Sequence, residues 1–366
     1  MSHLIVLVMV ASLPSIAQAA EQDVRVRTRY LMGTECSITL PGDAAWSLFD
    51  LAFDEIDRIE SLLSTWRDDT ELARLNSSDA TEVRVSAEVS QLLSTVSHWA
   101  RETNGAFNPL VGPLIDIWSS RSHGRHPSEA EITGALDRMR LDDLVVDTSR
   151  QIVRRSPGIV IEEGAFGKGY ALDLALDLLE AASVSAAYLD FGGQIAIASD
   201  SPIEVAIANP ERRDEPAVFF RMRSGSLATS SGSERTFELD GTTYSHIIDP
   251  RSGFPLPPRG SVSVLHHSAL VADILATALY VMGPEQGLAW SDEHDVAALF
   301  LDPDPNRAGR YRIRPSLVWR SEYPLTTSVR RNQFVMEDDQ NHETVFMDSV
   351  SALDSGDAGI STNPNH

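Results

Sequence analysis

Two neighbouring segments hold the side chains best suited to chemistry. Tyr244-Ser245-His246-Ile247-Ile248-Asp249-Pro250 carries a His-x-x-Asp-Pro pattern, and further on Ala272-Asp273 is followed by Thr277. A carboxylate and a hydroxyl four residues apart on a helix share one face. Both offer oxygen to a hard cation such as Mg2+. An imidazole nearby can take a proton near neutral pH. Upstream, Gly164-Ala165-Phe166-Gly167-Lys168-Gly169-Tyr170 sets small residues and one lysine between an expected strand and an expected helix. Backbone can approach a ligand closely there, and a helix N-terminus favours phosphate. This is the material for metal-assisted chemistry on a phosphorylated ligand.

Each segment also has a plainer reading. Asp273 would complement a helix dipole, and Thr277 would bond its own backbone. A lone histidine in a strand is more often structural than catalytic, and the ten histidines show no zinc spacing. Asp249-Pro250-Arg251-Ser252-Gly253 is an ordinary turn signature. Asn104-Gly105-Ala106-Phe107-Asn108-Pro109 passes for a helix end and turn. The glycine loop is neither a Rossmann fingerprint nor a Walker A loop, because the glycine order is wrong and Gly, not Ser or Thr, follows the lysine.

Composition narrows the class. With 42% hydrophobic and 23% charged residues over 366, the chain is that of a globular protein. A formal charge of −23 argues against nucleic acid or an anionic membrane surface as the main partner, so an anionic ligand needs a local cation or a metal. Residues 1–20 contain no Lys, Arg, Asp or Glu, and Leu4 to Val10 is an apolar run. With Ala17-Gln18-Ala19 as a cleavage pattern, this reads as a Sec signal peptide, which implies export to the periplasm without stable membrane insertion. No Cys follows the apolar run, so a lipobox is absent, and Cys36 alone permits no intrachain disulfide. The segment 336–366 reads as an acidic, disordered tail: from Glu337 onward it has seven acidic residues and no Lys or Arg.

The elements that must position these groups are legible from periodicity. Val24–Tyr30 and Glu35–Leu40 read as strands joined at Met32-Gly33-Thr34. Helices are expected at 45–63, 86–103, 170–182 and 273–282, the last stopped by Gly283. Strands are expected at 187–191, 194–198, 204–208, 218–223 and 296–301. Ala228-Thr229-Ser230-Ser231-Gly232 reads as a small-residue turn before the strand of His246, and 134–147 and 302–309 as surface connections. Strand pairs interrupted by single helices argue for an α+β fold with antiparallel or mixed sheets, rather than a doubly wound parallel one. No Pro/Ser-rich linker divides residues 21–335, so one domain is expected there.

The ordered set of motifs carries a resemblance. Met32-Gly33-Thr34 comes first, then Ser64-Thr65-Trp66 with Glu71 through Asn76, Gly105 to Pro109, Gly164 to Tyr170 and Phe191-Gly192-Gly193. Ala228-Thr229-Ser230, His246 to Pro250 and Ala272-Asp273-x-x-x-Thr277 complete it. From about Met32 to Leu301 the chain resembles the ApbE family, the FAD:protein FMN transferases.

The resemblance implies a periplasmic, Mg2+-dependent enzyme that cleaves FAD and attaches FMN through a phosphoester to a Thr or Ser of an acceptor flavoprotein in a membrane redox complex. It carries flavin contacts over to Met32, Trp66 (where the family usually has Tyr), Ala106, Phe107, Asn108, Glu162 and Lys168. It makes the backbone carbonyl of Ala165, Asp273 and Thr277 the metal ligands, and His246 the proton acceptor. The chain departs from the family pattern in three further places. Asn108 stands where Asp is usual, Glu162-Glu163-Gly164 where Asp-Leu-Gly is, and Thr229-Ser230-Ser231 where Thr-Ser-Gly is. Trp66 and Phe107 are aromatic rings that could pack on the flavin or adenine. Two other classes stay open at this point: an FAD pyrophosphatase giving FMN and AMP, and a non-catalytic FAD-binding assembly factor.

Overall fold

Val24–Leu31 (β1) and Thr34–Pro41 (β2) pair antiparallel in full register, leaving only Met32-Gly33 as the turn. Both turn residues have positive φ, 45° and 78°, the geometry that matches the twist of a two-residue hairpin. The computed structural model describes residues 23–121, 123–328 and 334–336. The expected signal segment and the acidic tail beyond Met336 lie outside the described residues.

After the hairpin come α1 (Trp46–Leu63), α2 (Glu71–Ser77), β3 (Glu82–Arg84), α3 (Ala87–Glu102), α4 (Gly112–Trp118), α5 (Glu129–Asp137), β4 (Leu144–Asp147) and β5 (Ile152–Arg155). Then follow α6 (Gly167–Ala181), β6 (Ala186–Phe191), β7 (Gln194–Ala208), β8 (Pro216–Ser231), β9 (Thr236–Leu239), β10 (Thr242–Ser245) and β11 (Ser261–His266). The chain closes with α7 (Ala269–Glu293), β12 (Ala297–Pro303), β13 (Tyr311–Pro315), α8 (Leu317–Glu322), β14 (Thr327–Ser328) and β15 (Phe334–Met336). A ten-stranded sheet runs β1-β2-β6-β7-β8-β11-β12-β13-β15, with β14 pairing β8. Among the described residues only β13 and β15 pair in parallel within it, so the fold is α+β as expected.

Apolar side chains cover both faces of the sheet. Along β12, Ala298 and Phe300 pack with Leu275 and Leu279 of α7, while Ala297, Leu299 and Leu301 join Phe220 and Trp319 on the other side. Successive strand residues point to opposite faces, so a strand covered on both reads as a continuous apolar run. The largest core lies among α1, α3, α6 and strands β2 and β6, where α1 buries Phe49, Phe53, Ile56, Ile59 and Leu63 at helical spacing. Trp46, expected on that face, is 54% exposed at the helix start.

Several expectations are corrected. Residues 228–231 are the end of β8, hydrogen-bonded to β11, rather than a turn. His246 sits one residue past β10, not within the strand. Helix α7 begins four residues earlier than Asp273, at Ala269, because Ser268 caps it through the Val271 N–H. It also resumes past Gly283, which alone has non-helical angles. Helix α6 begins at Gly167, so Lys168 lies in its first turn. The two strands expected at 194–208 are one, β7, with a register irregularity between Ala198 and Ile203. The stretch 134–147 holds the end of α5 and all of β4.

Candidate active site

The motifs converge where α6 crosses α7. The crossing is a backbone contact: a Cβ on Gly169 would lie 2.3 Å from the Ala269 carbonyl oxygen. Only glycine fits without displacing one helix. Asp173 of α6 holds the start of α7 in place. Its carboxylate accepts from Ser268 Oγ at 2.6 Å and from the Leu270 N–H at 3.1 Å, with the Ala269 N–H also donating.

That crossing presents Asp273. Its side chain is almost fully buried, and the Gly169 N–H donates to Oδ2 at 3.3 Å. Burial pushes its carboxyl pKa up, Lys168 pulls it back down, and Glu234 adds to the rise. A buried carboxylate with one long hydrogen bond is under-satisfied, and a bound cation would stabilise it. Thr277 lies one turn along α7, half-buried. The Ala165 residue ends a single 3-10 turn, Glu163–Ala165, immediately before α6. Carboxylate, hydroxyl and carbonyl are all hard oxygen donors, which suits Mg2+. Among the described residues no group of three or more His, Cys, Asp or Glu is placed to hold a metal. A cation at Asp273 would therefore keep most of its shell for water and phosphate oxygens, as Mg2+ does beside phosphates.

His246 faces the same charges. Burial lowers its pKa first, Glu234 opposes that, and Arg235 and Lys168 lower it further. Its Nδ1 lies 3.1 Å from the Arg235 carbonyl oxygen, which also accepts the His246 N–H at 2.9 Å. A carbonyl only accepts, so the neutral ring carries its proton on Nδ1 and leaves the Nε2 lone pair open. Asp249 is occupied otherwise: its carboxylate binds Arg251 at 2.9 Å and closes the turn. That residue follows the plainer reading made from the sequence.

The second half of the site is built on Glu162 and Glu163, both buried. Thr65 Oγ1 is 2.7 Å from Glu163 Oε2 and 3.1 Å from Glu162 Oε1, and the Thr65 N–H donates to Glu163 Oε1 at 3.1 Å. Burial and the adjacent Glu162 charge push Glu163 up to about 7. Asn76 fixes the preceding residue from both sides: it donates to the Ile161 carbonyl at 2.8 Å and accepts the Ile161 N–H at 2.9 Å. The Glu162 N–H donates to Pro109 O at 2.8 Å, which brings in the 104–109 turn.

In that turn Ala106 and Phe107 are buried, with the Phe107 ring 2% exposed in the core, so it offers no face to a ligand ring. Asn108 braces backbone, donating to Met139 O and accepting from the Leu110 N–H, each at 2.9 Å. Met32, at the hairpin tip, gives its N–H to Glu60 at 2.9 Å, and its Cε lies close to Gly167. A non-glycine residue held at φ 45° is the strain that this two-residue turn imposes. Trp66, by contrast, is 72% exposed.

The structure thus groups Met32, Glu162, Lys168, Ala165, His246 and Asp273, with Thr277 on the Asp273 helix. Sequence reasoning gave no role to Glu163, Thr65, Arg121 or Glu234. The Glu162-Glu163 doublet was a visible signal for the first. Nothing local marked Arg121 or Glu234, which reach the site from distant segments.

The arrangement coincides with a known family. The ApbE family model matches residues 32–300, which include every one of these groups. The chain belongs to the ApbE family. Among ApbE relatives, the FAD:protein FMN transferase of Treponema pallidum (strain Nichols) is 30% identical over 305 residues, covering 76% of this chain and 84% of that protein. The enzyme of the same name from Escherichia coli (strain K12) is 30% identical over 289 residues, covering 75% and 82%. The fold agrees: the apo form of the Pseudomonas stutzeri flavinyl transferase ApbE superposes with a TM-score of 0.73 at 26% identity, covering 82% of this chain and 96% of that one. The ApbE protein of Thermotoga maritima gives 0.73 and 26%, covering 81% and 98%. Among the described residues of this ApbE protein, no helix is long and apolar enough to cross a membrane.

Proposed function

We propose that this chain is an exported, Mg2+-dependent FAD:protein FMN transferase that places FMN on a Thr or Ser of an acceptor protein and releases AMP. The observation that carries the reading is Asp273: a buried, under-satisfied carboxylate beside Lys168 and near His246, in a protein of charge −23 that must still admit a pyrophosphate. Asp273, Thr277 and the Ala165 carbonyl would hold Mg2+. When bound, the cation neutralises charge on the phosphoryl oxygens.

The residues of the chain supply the rest. His246 Nε2 takes the proton of the acceptor hydroxyl as its oxygen bonds to the FMN phosphorus. The P–O bond to the bridging oxygen breaks, and AMP leaves with that oxygen and the electron pair. A hydroxyl is a poor nucleophile near neutral pH, and a positioned base contributes roughly 10²–10⁴-fold. Lys168, at the start of α6, offers an ammonium and a helix N-terminus to the pyrophosphate. Export would follow from the 1–20 segment, with 21–335 as the working domain and the acidic tail outside it.

Chromatography of the nucleotides tests the reading. AMP release from FAD should need Mg2+ and rise when an acceptor protein is present. Turnover that survives exhaustive EDTA treatment contradicts the metal assignment. Free FMN in amounts equal to AMP, with acceptor present, contradicts transfer and favours hydrolysis.

A further inference from the structure

We propose that Arg121 is a positioning residue for the flavin ring, one that fixes Trp66 from behind and leaves its other face as a stacking platform. The inference rests on the functional reading above and deepens it. Trp66 stands in the turn after α1, 72% exposed, which is costly for an indole that meets nothing. It does meet Arg121, whose guanidinium carbon lies 4.8 Å from the ring centroid. The same guanidinium places Nη2 2.8 Å from Glu162 Oε1, and the Glu162 side chain is only 8% exposed. Thr65, the residue before Trp66, reaches that same carboxylate oxygen at 3.1 Å.

The indole is therefore gripped twice through one buried anchor: by its backbone neighbour Thr65, and by the cation stacked on its ring. A planar guanidinium can stack on an aromatic face and pair with a carboxylate at once; an ammonium cannot. With one side already covered, the large remaining exposure means the opposite face is open to solvent. Holding that ring before the ligand arrives removes part of the ordering cost of binding. The free face suits flavin better than adenine, because the three fused rings of a flavin cover more of an indole than the two of adenine.

Binding constants for FAD, FMN and ADP test this on the parent, Arg121→Ala, Arg121→Lys, Trp66→Ala and the double variant Arg121→Ala/Trp66→Ala. Arg121→Ala should weaken FAD and FMN by about two- to fivefold, the size of an exposed cation–ring contact, and leave ADP unchanged. In the Trp66→Ala background the same change should cost nothing more, because Arg121 acts through the ring. Arg121→Lys, which keeps a partner for Glu162 and protects the fold, should recover only part of the loss. FAD affinity equal to the parent in Arg121→Ala, losses that add in the double variant, or an equal loss for ADP each overturn the inference alone. A parent that binds neither FAD nor FMN overturns the functional reading and this inference with it.

Discussion

The Gly169 N–H donates to Asp273 Oδ2 at 3.3 Å, at the point where a glycine lets α6 and α7 touch backbone to backbone. One residue thus sets the helix crossing and points a donor at the carboxylate that the crossing presents. Gly169→Ala should push the helices apart. The expected cost is about 1–3 kcal/mol of stability, as for other overpacked interiors, together with weaker Mg2+ dependence of turnover. Denaturant midpoints and a Mg2+ titration on one sample check both; a variant as stable as the parent contradicts the tight crossing.

Asp273→Asn separates chemistry from folding. Asp273 lies in the second turn of α7, where the dipole effect of a helix start has faded, and burial already penalises its charged form. The amide should therefore fold at least as well as the carboxylate while transfer is lost. Thermal melting and FAD turnover at saturating Mg2+ give the answer, and normal turnover would remove Asp273 from the site.

For His246 the sign of the pH effect is set by burial, which holds the imidazole below its ordinary value. The neutral, proton-accepting form then persists to lower pH than in an exposed histidine. Transfer should stay flat through neutrality and fall only below the usual imidazole range. His246→Ala should lose roughly 10²–10⁴-fold in rate and abolish that acid limb, with FAD affinity little changed. An acid limb that persists in His246→Ala assigns it to another group.

Asn108→Asp restores the residue usual at this position in the family that the chain resembles, yet it should not help. The Asn108 amide donates to Met139 O, and a carboxylate there would face a carbonyl with no proton between them. The expected result is a loss of about 1–3 kcal/mol in stability, read from chemical denaturation. Unchanged stability would mean that the Met139 contact is dispensable.

How much of this was legible in the sequence depends on how local the cause is. The Met32-Gly33 hairpin, the α1 stripe from Phe49 to Leu63 and the Ser86 start of α3 each follow from residues within one or two turns. The Asp273/Thr277 pair was visible for the same reason. The end of β8 was not, because Thr229 and Ser231 take their strand state from β11, whose paired residues are distant in sequence: Thr229 pairs opposite Ser263 and shares a 2.7 Å hydroxyl contact with it. Small polar residues read as a turn when that partner is unseen. The start of α7 was missed because its apolar first turn, Ala269 to Ala272, is buried all round and shows no amphipathic edge. Arg121 and Glu234 became site residues only through tertiary neighbours.

The central claim is covalent transfer of FMN, and intact-protein mass spectrometry of the acceptor tests it most directly. A candidate periplasmic acceptor incubated with this protein, FAD and Mg2+ should gain one FMN phosphoester on a Thr or Ser, with none in EDTA or with Asp273→Asn. An acceptor of unchanged mass, while FAD is consumed to free FMN and AMP, would contradict the account.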